Sequence, residues 1–112
     1  MHQRLWLIIG RRANGTLLGD DEWAACIRAV QATLKSGRVA VKFAGSGQLW
    51  SEEGAPGQDA FAVVGEVEPA GLHAARTMVH LAVEDWHLDS VETVFEPFEH
   101  FSARLSDEQV ER

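Results

Sequence analysis

Three histidines at a spacing of seven residues form the most conspicuous chemical pattern in this sequence. His73, His80 and His87 lie in the stretch HAARTMVHLAVEDWH, with Glu84 and Asp85 between the last two. Seven residues advance an α-helix by nearly two full turns, so on one helix the three side chains would share a flank at intervals of about 10 Å. A zinc ion holds nitrogen ligands at about 2.0–2.1 Å. Three histidines placed this way on one straight helix therefore cannot share one ion.

His80 and Glu84 are a separate candidate, because residues four apart on a helix can bind one metal ion together. Such a site would need further ligands from His100 or from a second copy of the chain. The alternatives are a solvated flank with His–Glu hydrogen bonds, and a pH-sensitive interface in which a histidine titrates beside a glutamate. We adopt the solvated flank, so the sequence predicts no metal site and no cofactor.

A second candidate site is the stretch GRRANG, which precedes a predicted helix. Arg11, Arg12 and Asn14 could hold a phosphate or carboxylate with guanidinium and backbone N–H groups. Asp20 and Asp21 at the start of that helix would repel the same anion. The alternative is a solvated turn, and the anion site is kept as a hypothesis.

No residue has the setting of a catalytic nucleophile. Cys26 is the only cysteine and falls on the apolar side of the first predicted helix, which indicates an inert core thiol. Nothing places an activating base beside it, and the serines show no nucleophile-elbow pattern. We predict no catalytic residues, which favours a protein that is not an enzyme.

The elements that must position these residues follow from the apolar periodicity. Steps of three and four residues predict helices, and alternation predicts strands. The expected elements are a strand at 4–10, a helix at 20–36, strands at 38–45 and 59–68, a helix that opens at Pro69 with an apolar stripe through Trp86, and a strand at 90–101. The Gly-rich stretch 45–58 is expected to be a long loop.

This order, β-α-β-β-α-β, predicts a ferredoxin-like α+β sandwich in which a four-stranded antiparallel sheet carries two helices on one face. The first and third strands would be central. Residues 1–112 are expected to form one domain, with 102–112 as a short helical turn or a frayed tail. The apolar run near the N-terminus is too short for a signal peptide or a membrane span. A cytoplasmic protein that does not insert into membranes is therefore expected.

The predicted central strands are apolar on both faces, although two helices can cover only one. Trp6, Ile8 and Val64 would line the second face, and Trp50 in the long loop could join them. An apolar patch of this size is seldom left open in a soluble monomer. A second copy of the chain, the loop 45–58 or another protein should cover it. Two sheets packed face to face would resemble the dimeric α+β barrels at the level of fold.

The charge is uneven along the chain. Residues 1–56 contain seven Lys or Arg and five acids, whereas residues 57–112 contain three Arg and twelve acids. Phosphate repulsion argues against direct nucleic-acid binding, and a basic protein partner would suit the acidic half. The predicted acidic contact edge consists of Glu84, Asp85, Asp89, Glu92, Glu96 and Glu99.

Two function hypotheses follow. The first is a non-enzymatic acidic module that binds a protein with a basic surface, for instance as an inhibitor that occupies a nucleic-acid-binding groove. The second is a small dimeric enzyme or small-molecule-binding protein with a pocket between sheet and helices. The absence of a catalytic constellation favours the first.

Overall fold

The computed structural model describes residues 2–50 and 57–98 of the chain. The predicted tail at 102–112 and Glu99 lie outside these residues. The described elements, in chain order, are β1 (Gln3–Gly10), β2 (Arg12–Ala13), β3 (Thr16–Leu17), α1 (Asp20–Ser36), β4 (Ala40–Leu49), β5 (Gln58–Val67), a 3-10 turn (Pro69–Gly71), α2 (Leu72–Glu84) and β6 (Val91–Pro97).

The four long strands form one antiparallel sheet in the order β4-β5-β1-β6. The central strands are β1 and β5, as the sequence predicts, and β4 and β6 form the edges. Both helices pack on the same face of the sheet. This is the ferredoxin-like α+β fold, and the fold prediction is confirmed. Pro97 ends the edge strand β6, a position where proline is tolerated.

The hydrophobic core lies between the sheet and the two helices. Side chains repeat every two residues in a strand and every three to four in a helix, so each element buries one stripe. The largest fully buried side chains are Leu5, Leu7, Ile9, Cys26, Val30, Leu34, Val63 and Val67. The intervening residues of β1 and β5 point to the opposite face of the sheet.

Helix α1 begins at Asp20 and ends at Ser36, where Gly37 forms the C-cap. The N-cap is Gly19, which has no side chain to cap the helix. The first turn nevertheless contains three acids, which the positive end of the helix dipole stabilises.

Helix α2 is shorter than predicted. It begins after the 3-10 turn at Pro69–Gly71 and ends at Glu84. Trp86 and His87 therefore lie beyond it, and His87 has a left-handed φ of 52°. The helix ends early because this conformation is incompatible with a further helical turn. Across 2–50 and 57–98, no helix is long and apolar enough to cross a membrane.

Strand β4 is longer than predicted. Five residues of the predicted loop 45–58 belong to it, because it continues to Leu49 and pairs with β5 along that length. The loop prediction is therefore wrong for this part of the chain. Gly45 and Gly47 led to the loop prediction, because glycine is depleted in strands and common in loops.

A β-bulge in β4 changes which face its side chains occupy. One residue is extra between Val41 and Phe43, so Val41 lies opposite Gly65 and Phe43 lies opposite Val64. Val41 and Phe43 would share a face in a regular strand, but the bulge places them on opposite faces. Gly65 is required at this point, because a Cβ there would lie 2.5 Å from Cγ1 of Val39. The bulge directs Phe43 to the face that the helices leave open.

The predicted turn at Asn14 and Gly15 is the tip of the small hairpin formed by β2 and β3. Both residues have positive φ, 49° and 79°, as a two-residue type I′ turn requires. Asp89 holds this tip, because its Oδ2 accepts a hydrogen bond of 2.8 Å from the Gly15 N–H. Backbone bonds from Asn14 N–H to the His87 carbonyl and from Asp89 N–H to the Arg12 carbonyl complete the attachment.

Candidate functional site

The open face of the sheet, opposite the helices, presents a continuous apolar ridge. Trp6 on β1 lies opposite Val64 on β5 and Val94 on β6, and Val64 lies opposite Phe43 on β4. These four side chains, which we call the ridge, cross all four strands. Phe43 is 62 % exposed, Val94 50 % and Trp6 41 %. The described residues leave the ridge in contact with water.

Polar groups border the ridge on one side. Arg4 lies between Glu66 on β5 and Glu96 on β6, and its guanidinium stacks 4.2 Å from the centre of the Phe98 ring. The indole N–H of Trp6 donates a hydrogen bond of 2.8 Å to Glu96. This bond ties the largest ring of the ridge to the neighbouring edge strand.

A concavity of about 240 Å³ lies on the other side of the ridge. We call it the trough. Its floor consists of the small residues Gly45, Gly47, Ala60 and Ala62, and its remaining lining consists of Ile8, Phe43, Ser46, Gln48 and Leu49. The floor is low because none of its side chains is larger than a methyl group. A second concavity, of about 380 Å³, is lined by the polar residues His2, Arg38, Glu66 and Glu68 and by the small residues Ala40, Ala70 and Gly71.

The structure brings together three of the four residues of the predicted apolar interface. Trp6, Ile8 and Val64 share the open face. Trp50 follows the end of β4 and is 74 % exposed, so it does not shield this face. Sequence reasoning missed Phe43, because only the bulge brings it here. Glycine in the partner strand was the available signal, since an interior strand glycine often marks a bulge.

The predicted acidic edge falls into two groups. Glu92 and Glu96 lie on β6 opposite Ile8 and Arg4, and so face the open side. Glu84 and Asp85 are at the end of α2. Asp89 is engaged in holding the hairpin tip. The described acids therefore do not form one continuous surface on the strand.

The histidine pattern is that of a solvated flank. Nε2 of His80 lies 3.2 Å from Oε2 of Glu84, and both side chains are largely exposed. His73 lies in the first turn of α2, whereas His87 is outside the helix. Among the described residues, no group of three His, Cys, Asp or Glu side chains is placed to hold a metal ion.

At the predicted anion site, the Arg11 guanidinium binds carboxylates of the chain itself. The Arg11 guanidinium donates to Asp20 at 2.6 Å and to Asp59 at 2.8 Å, and its Nε donates to the Leu18 carbonyl. Hydrogen bonds to Asp20 and then Asp59 raise the pKa of Arg11. The donors that an anion would need already have carboxylate partners. Arg12 and Asn14 lie in the adjoining hairpin.

Cys26 is a buried thiol in the core. Desolvation raises its pKa to about 11. A thiol with this pKa stays protonated near neutral pH, and the thiolate is the reactive form. This environment is that of a packing residue.

Comparison with known proteins supports the fold. No family model and no curated protein matches the chain. The 30S ribosomal protein S6 from Thermotoga maritima is similar over 100 % of both chains, with a TM-score of 0.58 and 8 % identity. A dimeric ferredoxin-like protein of unknown function from Thermobifida fusca covers 87 % of this chain and 92 % of its own, with a TM-score of 0.50 and 12 % identity. The periplasmic divalent cation tolerance protein CutA from Archaeoglobus fulgidus covers 96 % and 93 %, with a TM-score of 0.50 and 17 % identity. At these identities the likeness concerns the fold alone.

Proposed function

We propose that this chain is a non-enzymatic protein-binding module, that the open face of the sheet is its interface, and that a second copy of the chain binds there. The observation that carries the proposal is the ridge, an unbroken apolar row across four strands. Exposed apolar patches of this kind mark protein interfaces. The Thermobifida fusca protein of similar fold is described as dimeric, which is compatible with this function.

The size of the face suits a symmetric dimer. Four strands about 4.8 Å apart, with eight or nine residues of about 3.3 Å each, present on the order of 500 Å² in projection. Side-chain relief increases the accessible area toward the roughly 800 Å² per partner of a stable interface. The apolar centre and the mixed charges of Arg4, Glu66 and Glu96 at its border also match the anatomy of such interfaces.

The test is the native mass of the protein by light scattering over a hundredfold range of concentration. We expect the mass to rise from that of one chain to that of two. Phe43→Glu should keep the protein monomeric, because the charge would be buried without a partner at the interface. Leu81→Glu is the matched control, since Leu81 is an exposed apolar residue on α2, 47 % accessible. A parent protein that stays monomeric throughout, or a Phe43→Glu variant that dimerises as the parent does, would refute the proposal.

A second candidate function is the binding of a basic protein through the acidic edge. Glu92 and Glu96 support it, because they border the ridge on the exposed edge strand. A partner with apolar and cationic groups, such as a nucleic-acid-binding protein, could then occupy the open face from that side.

The small-molecule alternative rests on the trough, which lies on the open face and not between sheet and helices as that hypothesis expected. A cytoplasmic location agrees with the buried free thiol of Cys26.

A further inference from the structure

No contact among the described residues explains Gly47. Within 2–50 and 57–98, no atom lies within 4 Å of a Cβ added at Gly47, and the φ of Gly47 is not in the left-handed region. Glycine in a strand costs roughly 0.5–1 kcal/mol relative to alanine, and it often marks a close approach by another molecule. By contrast, a Cβ at Gly10 would lie 2.7 Å from Oε1 of Gln58, and one at Gly45 would touch the ring of Phe43 at 3.5 Å. Gly10 therefore serves a close contact within the chain, and a Cβ at Gly45 would meet Phe43 only at ordinary van der Waals distance, whereas no described residue approaches Gly47.

We infer that the trough around Gly47 is a socket for the ridge of a second copy, with the partner's Phe43 seated over Gly47. This inference rests on the proposed self-association and specifies its geometry. The ridge and the trough lie side by side on the same face of the sheet, the ridge protruding from it and the trough forming a concavity in it. Two copies can therefore interlock, each placing its ridge in the trough of the other.

Interlocking requires a particular two-fold axis. The ridge crosses β5 at Val64, the part of the trough floor beside Gly47 crosses it at Ala60, and Ala62, at the near end of the floor, lies midway between these two residues. A two-fold axis that crosses the strands near Ala62 places ridge over trough in both directions. An axis parallel to the strands would instead place ridge on ridge.

Packing decides between the two arrangements. Ridge on ridge would hold the sheets apart and leave both troughs, each about 240 Å³, without contacts. Protein interfaces are packed as closely as protein interiors, so voids of this size are disfavoured. The competing advantage of the parallel axis is that Arg4 would lie over Glu66 of the other copy. Both residues are already partly buried within one chain, and enclosing their charges in an interface costs desolvation that offsets the attraction between them.

The test is Gly47→Val, measured by sedimentation equilibrium and by thermal unfolding. Valine fits the open space in the single chain and favours a strand, so we expect unfolding of the monomer at equal or higher temperature. In the dimer the same methyl groups occupy the socket, so we expect the dimer dissociation constant to rise at least thirtyfold. Ala44→Val is the matched control, because Ala44 is on the same strand but lies opposite Val63, on the helix side. The control should leave the dissociation constant within about threefold.

A double-mutant cycle identifies the side chain in the socket. If the partner's Phe43 lies over Gly47, the effect of Gly47→Val should shrink severalfold in a Phe43→Ala background. Independent effects would overturn this contact. A Gly47→Val variant that dimerises like the parent, or unfolds at a lower temperature than the parent monomer, would overturn the socket itself.

Two further outcomes separate the inference from the function on which it rests. A parent protein that never dimerises refutes the proposed self-association. A parent that dimerises, and whose Gly47→Val variant dimerises equally but loses binding of the dye 8-anilinonaphthalene-1-sulfonate, would assign the trough to a small apolar ligand. That result would overturn the socket and leave the dimer intact.

Discussion

Val63 and Val64 are neighbours of identical type on opposite faces of β5, and truncating each to alanine tests the assignment of the two faces. Val63 is 1 % exposed in the core, whereas Val64 is half-buried in the ridge. The two methyl groups removed from Val63 account for about 1.6 kcal/mol of transfer free energy, and the cavity left behind raises the loss to about 2–3 kcal/mol. For Val64, about two thirds or more of that transfer free energy belongs to contacts within the chain, because less than about a third of the residue is exposed. The loss of monomer stability should be about 1–1.5 kcal/mol, clearly smaller than for Val63→Ala.

The exposed part of the Val64 side chain should contribute to association. If the open face is buried in a symmetric dimer, each copy of Val64→Ala loses about 0.5 kcal/mol of contact across the interface, or about 1 kcal/mol per dimer. The dimer dissociation constant should rise about fivefold for Val64→Ala and stay nearly unchanged for Val63→Ala. Urea unfolding at a concentration where the chain is monomeric measures the first quantity, and sedimentation equilibrium measures the second. Equal losses of monomer stability for the two variants would refute the reasoning, because they would mean that both faces are buried within one chain.

Two further predictions concern residues away from the open face. Because burial raises the pKa of Cys26 to about 11, the folded chain holds this proton above the ordinary thiol pKa. The free energy of unfolding should therefore be unaffected by this group below about pH 8.5 and should fall by up to about 2–3 kcal/mol toward pH 11. Urea titrations at several pH values measure this decline, which should be smaller in Cys26→Ala. Gly15→Val should lower the free energy of unfolding by about 1–2 kcal/mol, because a β-branched residue is strained at a φ of 79°. Asn14→Gly is the control and should be nearly neutral. Equal thermal stability of the two variants would contradict the turn assignment.

The fold could be predicted because its central strands have unambiguous patterns. In β1, Leu5, Leu7 and Ile9 alternate with residues of the open face, and the structure buries all three. The regular steps of α1 gave both its buried stripe and its end at Gly37. These patterns depend on local periodicity alone, so a single sequence is sufficient to reveal them.

The details that failed depend on contacts between distant segments. The bulge before Phe43 is set by the close approach of Val39 to Gly65, which no local pattern of β4 contains. The early end of α2 accompanies the docking of the hairpin on residues 87–89. Charge composition could not reveal that Arg11 is held by two carboxylates, because one of them, Asp59, lies 48 residues away.

Salt dependence separates a second copy from a basic protein as the occupant of the open face. Each chain carries a net charge of −7, and Glu92 and Glu96 border the ridge, so two copies repel one another as they approach. Raising the salt concentration from 0.05 to 0.5 M shortens the screening length from about 14 to about 4 Å, and should therefore strengthen the dimer. Binding of a basic partner should weaken over the same range, because salt screens the attraction on which it depends. Glu92→Gln should reduce the salt effect in either case. A dimer that dissociates as salt is added would show that attraction between charges, and not burial of the ridge, holds the two copies together.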